Sequence, residues 1–78
     1  SLPAKIEAVE GQQIVIPCKV SGRPKPEITF LKDKKDVMTL DDKARFRIEQ
    51  DEKSDEVRLI ISNVKEEDQG KYTIRAKN

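Results

Sequence analysis

The chain has 78 residues, of which 35% are hydrophobic and 40% are charged, so it can form at most one small domain around one compact core. Its 16 basic and 15 acidic residues are interleaved. This mixing creates no large field of one sign, which argues against nucleic acid and anionic membranes as partners. No apolar run approaches the roughly 20 residues that a membrane-spanning helix needs.

Two strands are predicted before residue 21. Residues 6–9 suggest an edge strand that closes at a turn over residues 10–11. Residues 13–20 place apolar side chains at every second position, which is the period of a strand with one buried face. Pro17 lies inside this strand and has no amide proton, so it belongs where the backbone faces away from a neighbouring strand or at an irregularity.

The middle of the chain continues as short strands separated by turns. Residues 21–27 form a loop in which two prolines hold the backbone extended. Ile28 and Phe30 then share one face of a strand, followed by a charged turn over residues 32–36. A loop leads from there to a further alternating segment over residues 45–48.

The second half of the chain predicts two more strands joined by a corner. The polar residues 50–55 indicate a hairpin turn before a strand over residues 57–61. Residues 62–69 form the corner, with Val64 pointing inward and room for one helical turn, and the last strand carries Tyr72, Ile74 and Ala76. The spacing of these elements predicts an all-β antiparallel sandwich or barrel. The predicted core comprises Ile14, Ile16, Cys18, Val20, Ile28, Phe30, Phe46, Ile48, Val57, Leu59, Ile61, Tyr72, Ile74 and Ala76.

The residue types needed for catalysis are largely missing. The chain has no histidine and one cysteine, so no histidine-based triad and none of the usual zinc cages can form. Its three glycines do not build a phosphate-binding loop. Acidic residues cluster at 41–42, 51–56 and 66–68, which could hold calcium, but their interleaved lysines favour solvated loops. We therefore predict no enzymatic activity, no cofactor, no metal and no small-molecule substrate.

Several residues occur in an order typical of one family. Cys18 lies on an early strand, Phe30 follows on the next core strand, and Asp68-x-Gly70-x-Tyr72 ends two residues before Ile74. This layout resembles the immunoglobulin sandwich. The segments 22–33 and 57–78 look like the intermediate set, or I-set, whose domains are abundant in giant muscle filament proteins such as titin, twitchin and obscurin, and also in cell-adhesion proteins. The resemblance covers residues 1–78 as a single domain.

The resemblance assigns structural roles to residues of the last corner. It implies that the hydroxyl of Tyr72 bonds to backbone near Asp68, and that the Asp68 carboxylate pairs with Arg45 in a partly buried ion pair. Gly70 is expected to supply backbone freedom where the corner turns into the strand. Leu59 is expected in the core.

The chain departs from the family pattern in its core. It has no tryptophan, and Phe30 stands in that position. Ile74 stands where the family has a second cysteine, so Cys18 has no partner for the usual bridge. Two interpretations of Cys18 follow: a small buried hydrophobic residue packed beside Ile74, or a redox-active or intermolecular thiol.

A further departure concerns strand G of the sandwich. Residues 76–78 look like the end of strand F and the start of a turn, so strand G is apparently absent and strand F has an unpaired edge. The domain is then incomplete at its C-terminus, as an excerpt of a multidomain chain or through local disorder. Alternatively, the edge accepts a strand from a neighbour.

Two functions are consistent with these features. The first is a structural and protein-binding module of an intracellular muscle protein. It would act as a spacer, a mechanical element and a docking surface, with filament components and neighbouring immunoglobulin or fibronectin-like domains as partners. The second is an extracellular adhesion or receptor domain that binds a protein ligand. The missing bridge and the missing glycosylation sequon favour the reducing interior of the cell, and the resemblance is compatible with a kinase domain elsewhere in the parent protein.

Overall fold

The computed structural model describes residues 6–78 and contains, within them, two antiparallel three-stranded sheets. The first sheet has the order β1-β5-β4, and the second has the order β3-β2-β6. The strands are β1 (Ile14–Lys19), β2 (Glu27–Lys32), β3 (Lys35–Asp36), β4 (Phe46–Gln50), β5 (Glu56–Ile61) and β6 (Tyr72–Lys77). This arrangement confirms the predicted all-β sandwich.

The helical structure in residues 6–78 consists of three short 3₁₀ turns. They span Val37–Thr39, Lys43–Arg45 and Glu66–Asp68. The last one is the helical turn predicted at the corner, and Arg45 lies in the second turn rather than in the strand that follows it. Across the described part of the chain, no helix is long and apolar enough to span a membrane.

The position of Pro17 follows from the register of β1 against β5. The N–H of Val20 donates to the Asp55 carbonyl at 2.8 Å, and the register pairs Cys18 with Val57 and Pro17 with Arg58. Because hydrogen-bonded and non-hydrogen-bonded pairs alternate in an antiparallel ladder, the Pro17 nitrogen points to the free edge of β1. The missing donor therefore costs β1 no hydrogen bond to β5.

The inner faces of the two sheets form one hydrophobic core. Phe30 comes from the second sheet, whereas Val57 and Leu59 come from β5, and all three side chains are 0% exposed. Val64 points inward from the corner and is buried, as predicted. The buried cluster comprises Ile16, Cys18, Phe30, Val37, Phe46, Val57, Leu59, Ile61 and Val64.

Three buried aliphatic residues lie outside the predicted alternation. Val37 is fully buried from the first 3₁₀ turn, where the chain has no period of two to reveal it. Leu31 and Ile60 are buried on the outer faces of β2 and β5. Each of these strands is central in its sheet, so side chains of both neighbouring strands cover its outer face.

The edges of the sandwich correct two sequence-based predictions. Residues 6–9 form no strand; instead the following segment is bound to the corner, where the N–H of Gly11 donates to the Val64 carbonyl at 2.8 Å. Ala76, predicted in the core, is exposed, and Tyr72 and Ile74 are only half-buried. The reason is that, within residues 6–78, β6 has a neighbouring strand, β2, on one side only.

Candidate functional site

The corner between β5 and β6 is organised around the carboxylate of Asp68. Its side chain is 6% exposed, and its Oδ2 accepts a hydrogen bond from the backbone N–H of Lys65 at 2.8 Å. The acidic residue at the end of the 3₁₀ turn thus reaches back to the residue preceding that turn. This bond satisfies a donor that the short turn cannot pair by itself.

Arg45 binds the same carboxylate with both of its terminal nitrogens. Nη1 lies 2.8 Å from Asp68 Oδ2, and Nη2 lies 2.8 Å from Asp68 Oδ1. Nη2 and Nε also donate to Asp42 Oδ2, at 2.6 and 3.0 Å. Nη1 further contacts the carbonyls of Ser62 and Asn63, at 3.2 and 3.3 Å. One guanidinium thereby ties the corner to the segment before β4, with bidentate geometry that suits arginine rather than lysine.

The electrostatics of this ion pair follow from its short contacts. The Arg45 hydrogen bonds hold the pKa of the Asp68 carboxyl below its usual range, against the opposing effect of burial. The same contacts raise the pKa of Arg45. Both groups are charged at neutral pH, and every buried side-chain nitrogen or oxygen in residues 6–78 has a hydrogen-bond partner.

Tyr72 closes the corner from the strand side. Its hydroxyl donates to the backbone carbonyl of Asp68 at 2.8 Å, while its ring packs against the core cluster. Burial raises the pKa of the Tyr72 hydroxyl to about 12, so the hydroxyl keeps its proton and can donate at neutral pH.

Gly70 has a different structural reason from the expected one. Its backbone is not in the left-handed region, but a Cβ atom there would lie 2.6 Å from Asp33 Oδ2. Asp33 is held in place because its Oδ1 accepts the N–H of Lys71 at 2.9 Å and its own N–H donates to the Lys71 carbonyl at 2.8 Å. The absence of a side chain at Gly70 therefore lets the β2–β3 turn dock on the corner.

The remaining four residues singled out from the sequence lie in or against the core. Cys18 is free and 5% exposed on β1, and Leu59 is fully buried on the neighbouring strand β5. In the second sheet, Phe30 stands directly opposite Ile74 across the β2–β6 pair. Burial raises the pKa of the Cys18 thiol, which disfavours the reactive thiolate form.

Residues at the corner that the sequence did not single out are Asp33 and Asp42. Each lies in a polar loop, where an aspartate side chain is usually exposed to solvent. Only the fold shows that Asp33 accepts a hydrogen bond from the backbone N–H of Lys71 and that Asp42 accepts hydrogen bonds from the guanidinium of Arg45. The spacing of Asp42 and Arg45, three residues apart around a short turn, is the one sequence signal for the second contact.

A groove runs along the open side of the sandwich, between β1 and β6. Its apolar lining includes Ile14 and Ile16 of β1, Val64 of the corner and Tyr72 of β6. Its polar lining includes Glu7, Glu10, Lys65, Glu66, Gln69 and Lys71. The acidic clusters do not converge there or elsewhere in residues 6–78, where no group of three potential metal ligands comes together.

Known proteins with similar sequences include both muscle and receptor-like proteins. The chain is 34% identical to human myomesin-2 over 77 residues, which is 99% of the chain and 5% of that protein. It is 35% identical to titin of Drosophila melanogaster over 77 residues, again 99% of the chain but a share of titin that rounds to 0%. It is 40% identical to fibroblast growth factor receptor-like 1 of Gallus gallus over 68 residues, 87% of the chain and 12% of that protein. The chain thus spans only a small part of each relative.

Solved structures with a similar fold include domains of titin. A titin fragment superposes with a TM-score of 0.73 at 29% identity, covering 88% of this chain and 34% of the fragment. A chimeric tandem of titin Z1Z2 domains superposes with a TM-score of 0.68, also at 29% identity, covering 88% of this chain and 33% of the tandem. The profile of the immunoglobulin I-set domain matches residues 1–78. With this match and the sandwich described above, the chain belongs to the immunoglobulin I-set family.

Proposed function

We propose that this domain is a non-catalytic structural and protein-binding module of an intracellular muscle protein, located in the sarcomere. Its role would be that of a spacer, a mechanical element and a docking surface within a tandem array. Its partners would be filament components and neighbouring immunoglobulin or fibronectin-like domains. A kinase domain elsewhere in the parent chain is compatible with this role.

The observation that carries the proposal is a core that closes without a covalent bridge. Cys18 is buried and free. The facing sheet contributes Phe30 to the buried cluster, and the partly buried Ile74 packs against that cluster. Small domains in oxidising compartments usually add disulfides because their cores are small. A core that manages without one suits the reducing cytoplasm, and the similarity to titin and myomesin-2 points to muscle.

The second candidate is an extracellular receptor or adhesion domain. The match to fibroblast growth factor receptor-like 1 favours it, since this relative has the highest identity among those described above, at 40%. Under this interpretation the domain would bind a protein ligand outside the cell.

Antibody staining of muscle fibres separates the two candidates. An affinity-purified antibody against the 78-residue domain should give regular striated bands in permeabilised fibres and no signal in intact ones. Antibody absorbed with the purified domain serves as the control and should give neither. Staining of intact, unpermeabilised cells would overturn the sarcomeric assignment in favour of the extracellular candidate.

A further inference from the structure

The outer edge of β4 lies in the interior of the chain. β4 ends the first sheet, where β5 is its neighbour. The structure describes the chain on both sides of it, from the turns over residues 37–45 to the hairpin over residues 51–55. In the immunoglobulin sandwich the strand at this position, D, also ends its sheet. The edge is therefore a property of the fold and does not depend on where the sequence begins or ends.

Alternate residues of β4 direct their backbone groups to that edge. The N–H of Asp51 donates to the Glu56 carbonyl at 3.1 Å, and bonded and non-bonded pairs alternate along β4 and β5. The N–H and C=O groups of Ile48 and Gln50 therefore point away from β5, as does the carbonyl of Phe46, whose N–H is taken by the preceding turn. Within residues 6–78 these edge groups have no backbone partner.

β3 and β4 end their sheets in the middle of the chain and differ in what they offer to a further strand. β3 consists of two residues, which are too few for a ladder. β4 has five residues and no proline, and proline is one of the devices that block edge pairing. The inward-facing Ile48 is only half-buried, so apolar surface is available beside the β4 edge.

The outer face of β4 carries one residue of each charge. Arg47 and Glu49 flank Ile48, and their side chains are 66% and 40% exposed. Two copies of β4 paired antiparallel about Ile48 would place Arg47 of each copy directly opposite Glu49 of the other. These would be non-hydrogen-bonded pairs, in which side chains approach most closely, and opposite charges at such positions stabilise strand pairing. The exposed ion pair that Arg47 and Glu49 form within one copy adds little stability, so little is lost by exchanging it.

The same charge pattern disfavours the neighbouring registers. A shift by two residues in one direction would place Arg47 opposite Arg47, and a shift in the other direction would place Glu49 opposite Glu49. Like charges directly opposite each other destabilise strand pairing. A shift by one residue would turn the inward side chains of one copy to the outer face of the other. One register alone combines matched charges, backbone hydrogen bonds and contact between the two Ile48 side chains.

We propose that two copies of this domain associate through the edges of β4, antiparallel about Ile48, so that their three-stranded first sheets join into one sheet. The N–H and C=O groups of each Ile48 bond to those of the other, and each Gln50 N–H donates to the Phe46 carbonyl of the other copy. Arg47 of each copy pairs with Glu49 of the other on the outer face. The partner is a second copy of the chain, which neither candidate function above specifies, and association through β4 is compatible with both.

Analytical ultracentrifugation combined with amide hydrogen exchange by NMR tests this association. The 78-residue domain should sediment as a monomer–dimer mixture that shifts reversibly with concentration. Where the dimer dominates, the exchange of the Ile48 and Gln50 amides should be roughly tenfold or more slower than in the monomer, because their N–H groups become bonded. The Arg47 amide, which faces β5, should be protected at every concentration and serves as the internal reference. Added salt should weaken the dimer, since the charge pairs are exposed.

Charge reversal supplies matched variants. Arg47→Glu would place glutamates opposite each other and Glu49→Arg would place arginines opposite each other, so each variant alone should raise the dimer dissociation constant at least about tenfold. An equimolar mixture of the two should associate about as the wild type does, because every pair then joins opposite charges. Lys34→Glu, at an exposed position of the β2–β3 turn, makes the same change in net charge as Arg47→Glu and should leave the dissociation constant unchanged.

A backbone change tests the edge without altering any side chain. An N-methyl group on Ile48, introduced by chemical synthesis, removes one edge N–H and leaves the hydrogen bonds to β5 in place. The methylated domain should keep the circular dichroism spectrum and melting temperature of the monomer and should not dimerise. This comparison remains decisive if Glu49→Arg, which brings a second arginine beside Arg58, does not fold.

Four results would overturn the proposal. The wild type could remain monomeric at its highest soluble concentration, or it could form a dimer in which the Ile48 and Gln50 amides stay unprotected, which would place the contact on another surface. Protection of both amides in the monomer would assign the edge to the chain itself. A dimer that survives N-methylation of Ile48 would show that its backbone takes no part. The staining experiment above is unaffected by each of these outcomes.

Discussion

The same alternation of inward-facing and outward-facing residues runs from one end of β6 to the other, but the two ends have different surroundings. At its start, Tyr72 is anchored to the corner, where the Asp68 carbonyl accepts its hydroxyl at 2.8 Å. Toward its end, Ala76 continues the same face of the strand and is exposed. An inward-facing position in a strand is therefore buried only where neighbouring elements cover it, and the corner covers the first end alone.

The comparison also separates two kinds of stabilisation. The corner depends on polar contacts around Asp68 and Arg45, which are 23 positions apart in the chain and meet only in the folded domain. The later residues of β6 depend on their pairing with β2, and Ala76 is exposed. Changes at the corner should therefore cost more stability than a change of the exposed Ala76 side chain.

The largest effect is expected from Arg45→Met. The variant leaves the Asp68 carboxylate buried without its main partner, and loss of one member of a buried ion pair costs about 3–5 kcal/mol. Urea denaturation at low temperature measures the change in the free energy of unfolding.

Arg58→Met is the matched control for this change. Arg58 pairs with Glu49 and Glu56 on the outer face of the first sheet, with its side chain 34% exposed, so its loss should cost much less stability than the loss of Arg45. Equal losses for the two variants would contradict the special role of the corner. Adding Asp68→Leu to Arg45→Met should recover part of the loss, because the unpaired charge is then gone.

A smaller effect is expected from acidification. The folded-state pKa of Asp68 is lowered by Arg45, and an aspartate in an unfolded chain titrates at about pH 3.9. Between these two values the unfolded state binds more protons than the folded state. The contribution of Asp68 to the free energy of unfolding is therefore fully present above about pH 4 and declines as pH falls through the folded-state pKa. The free energy of unfolding should be measured as a function of pH in the wild type and in Arg45→Met.

The comparison between these two proteins isolates the ion pair. The wild type should lose stability more steeply below pH 4, since Arg45→Met has already lost the contact that lowers the pKa of Asp68. The pKa of Asp51 is also lowered, by hydrogen bonds in its own hairpin, and this contribution is common to both proteins. Asp42→Asn removes the second carboxylate that Arg45 contacts and should leave most of the difference in slope. Parallel curves for the wild type and Arg45→Met would refute the assignment.

The sequence predicted those parts of the fold that depend on the chain's own alternation. β1 and β5 follow from their period of two, because each buries one inner face whatever surrounds the domain. The strand predicted over residues 6–9 does not form, although these residues are as apolar as many edge strands. An edge strand depends on a partner, and local pattern does not reveal whether one is present.

The candidate site was predictable to a similar degree. The family motif around Asp68 and Tyr72 drew attention to the corner and to Arg45. The motif also suggested backbone freedom at Gly70, whereas the structure shows close approach of Asp33. Contacts between residues far apart in the chain, such as the one between Asp33 and Lys71, leave no periodic signal. Val37 was missed for the same reason, since its burial comes from how a loop folds back on the core.

The smallest effect, and the sharpest test of the difference between the two ends of β6, is expected from Tyr72→Phe. The variant keeps the ring packed and removes one hydrogen bond to the Asp68 carbonyl, at a net cost of about 1 kcal/mol. Ala76→Ser, at the other end of the same face, should change stability by less than about 0.5 kcal/mol. Because Tyr72 is the only tyrosine, unfolding should be followed by far-UV circular dichroism rather than by fluorescence. Equal stability of Tyr72→Phe and Ala76→Ser would mean that the hydroxyl contributes nothing net to the corner, and the contrast between the two ends would then lie in apolar packing alone.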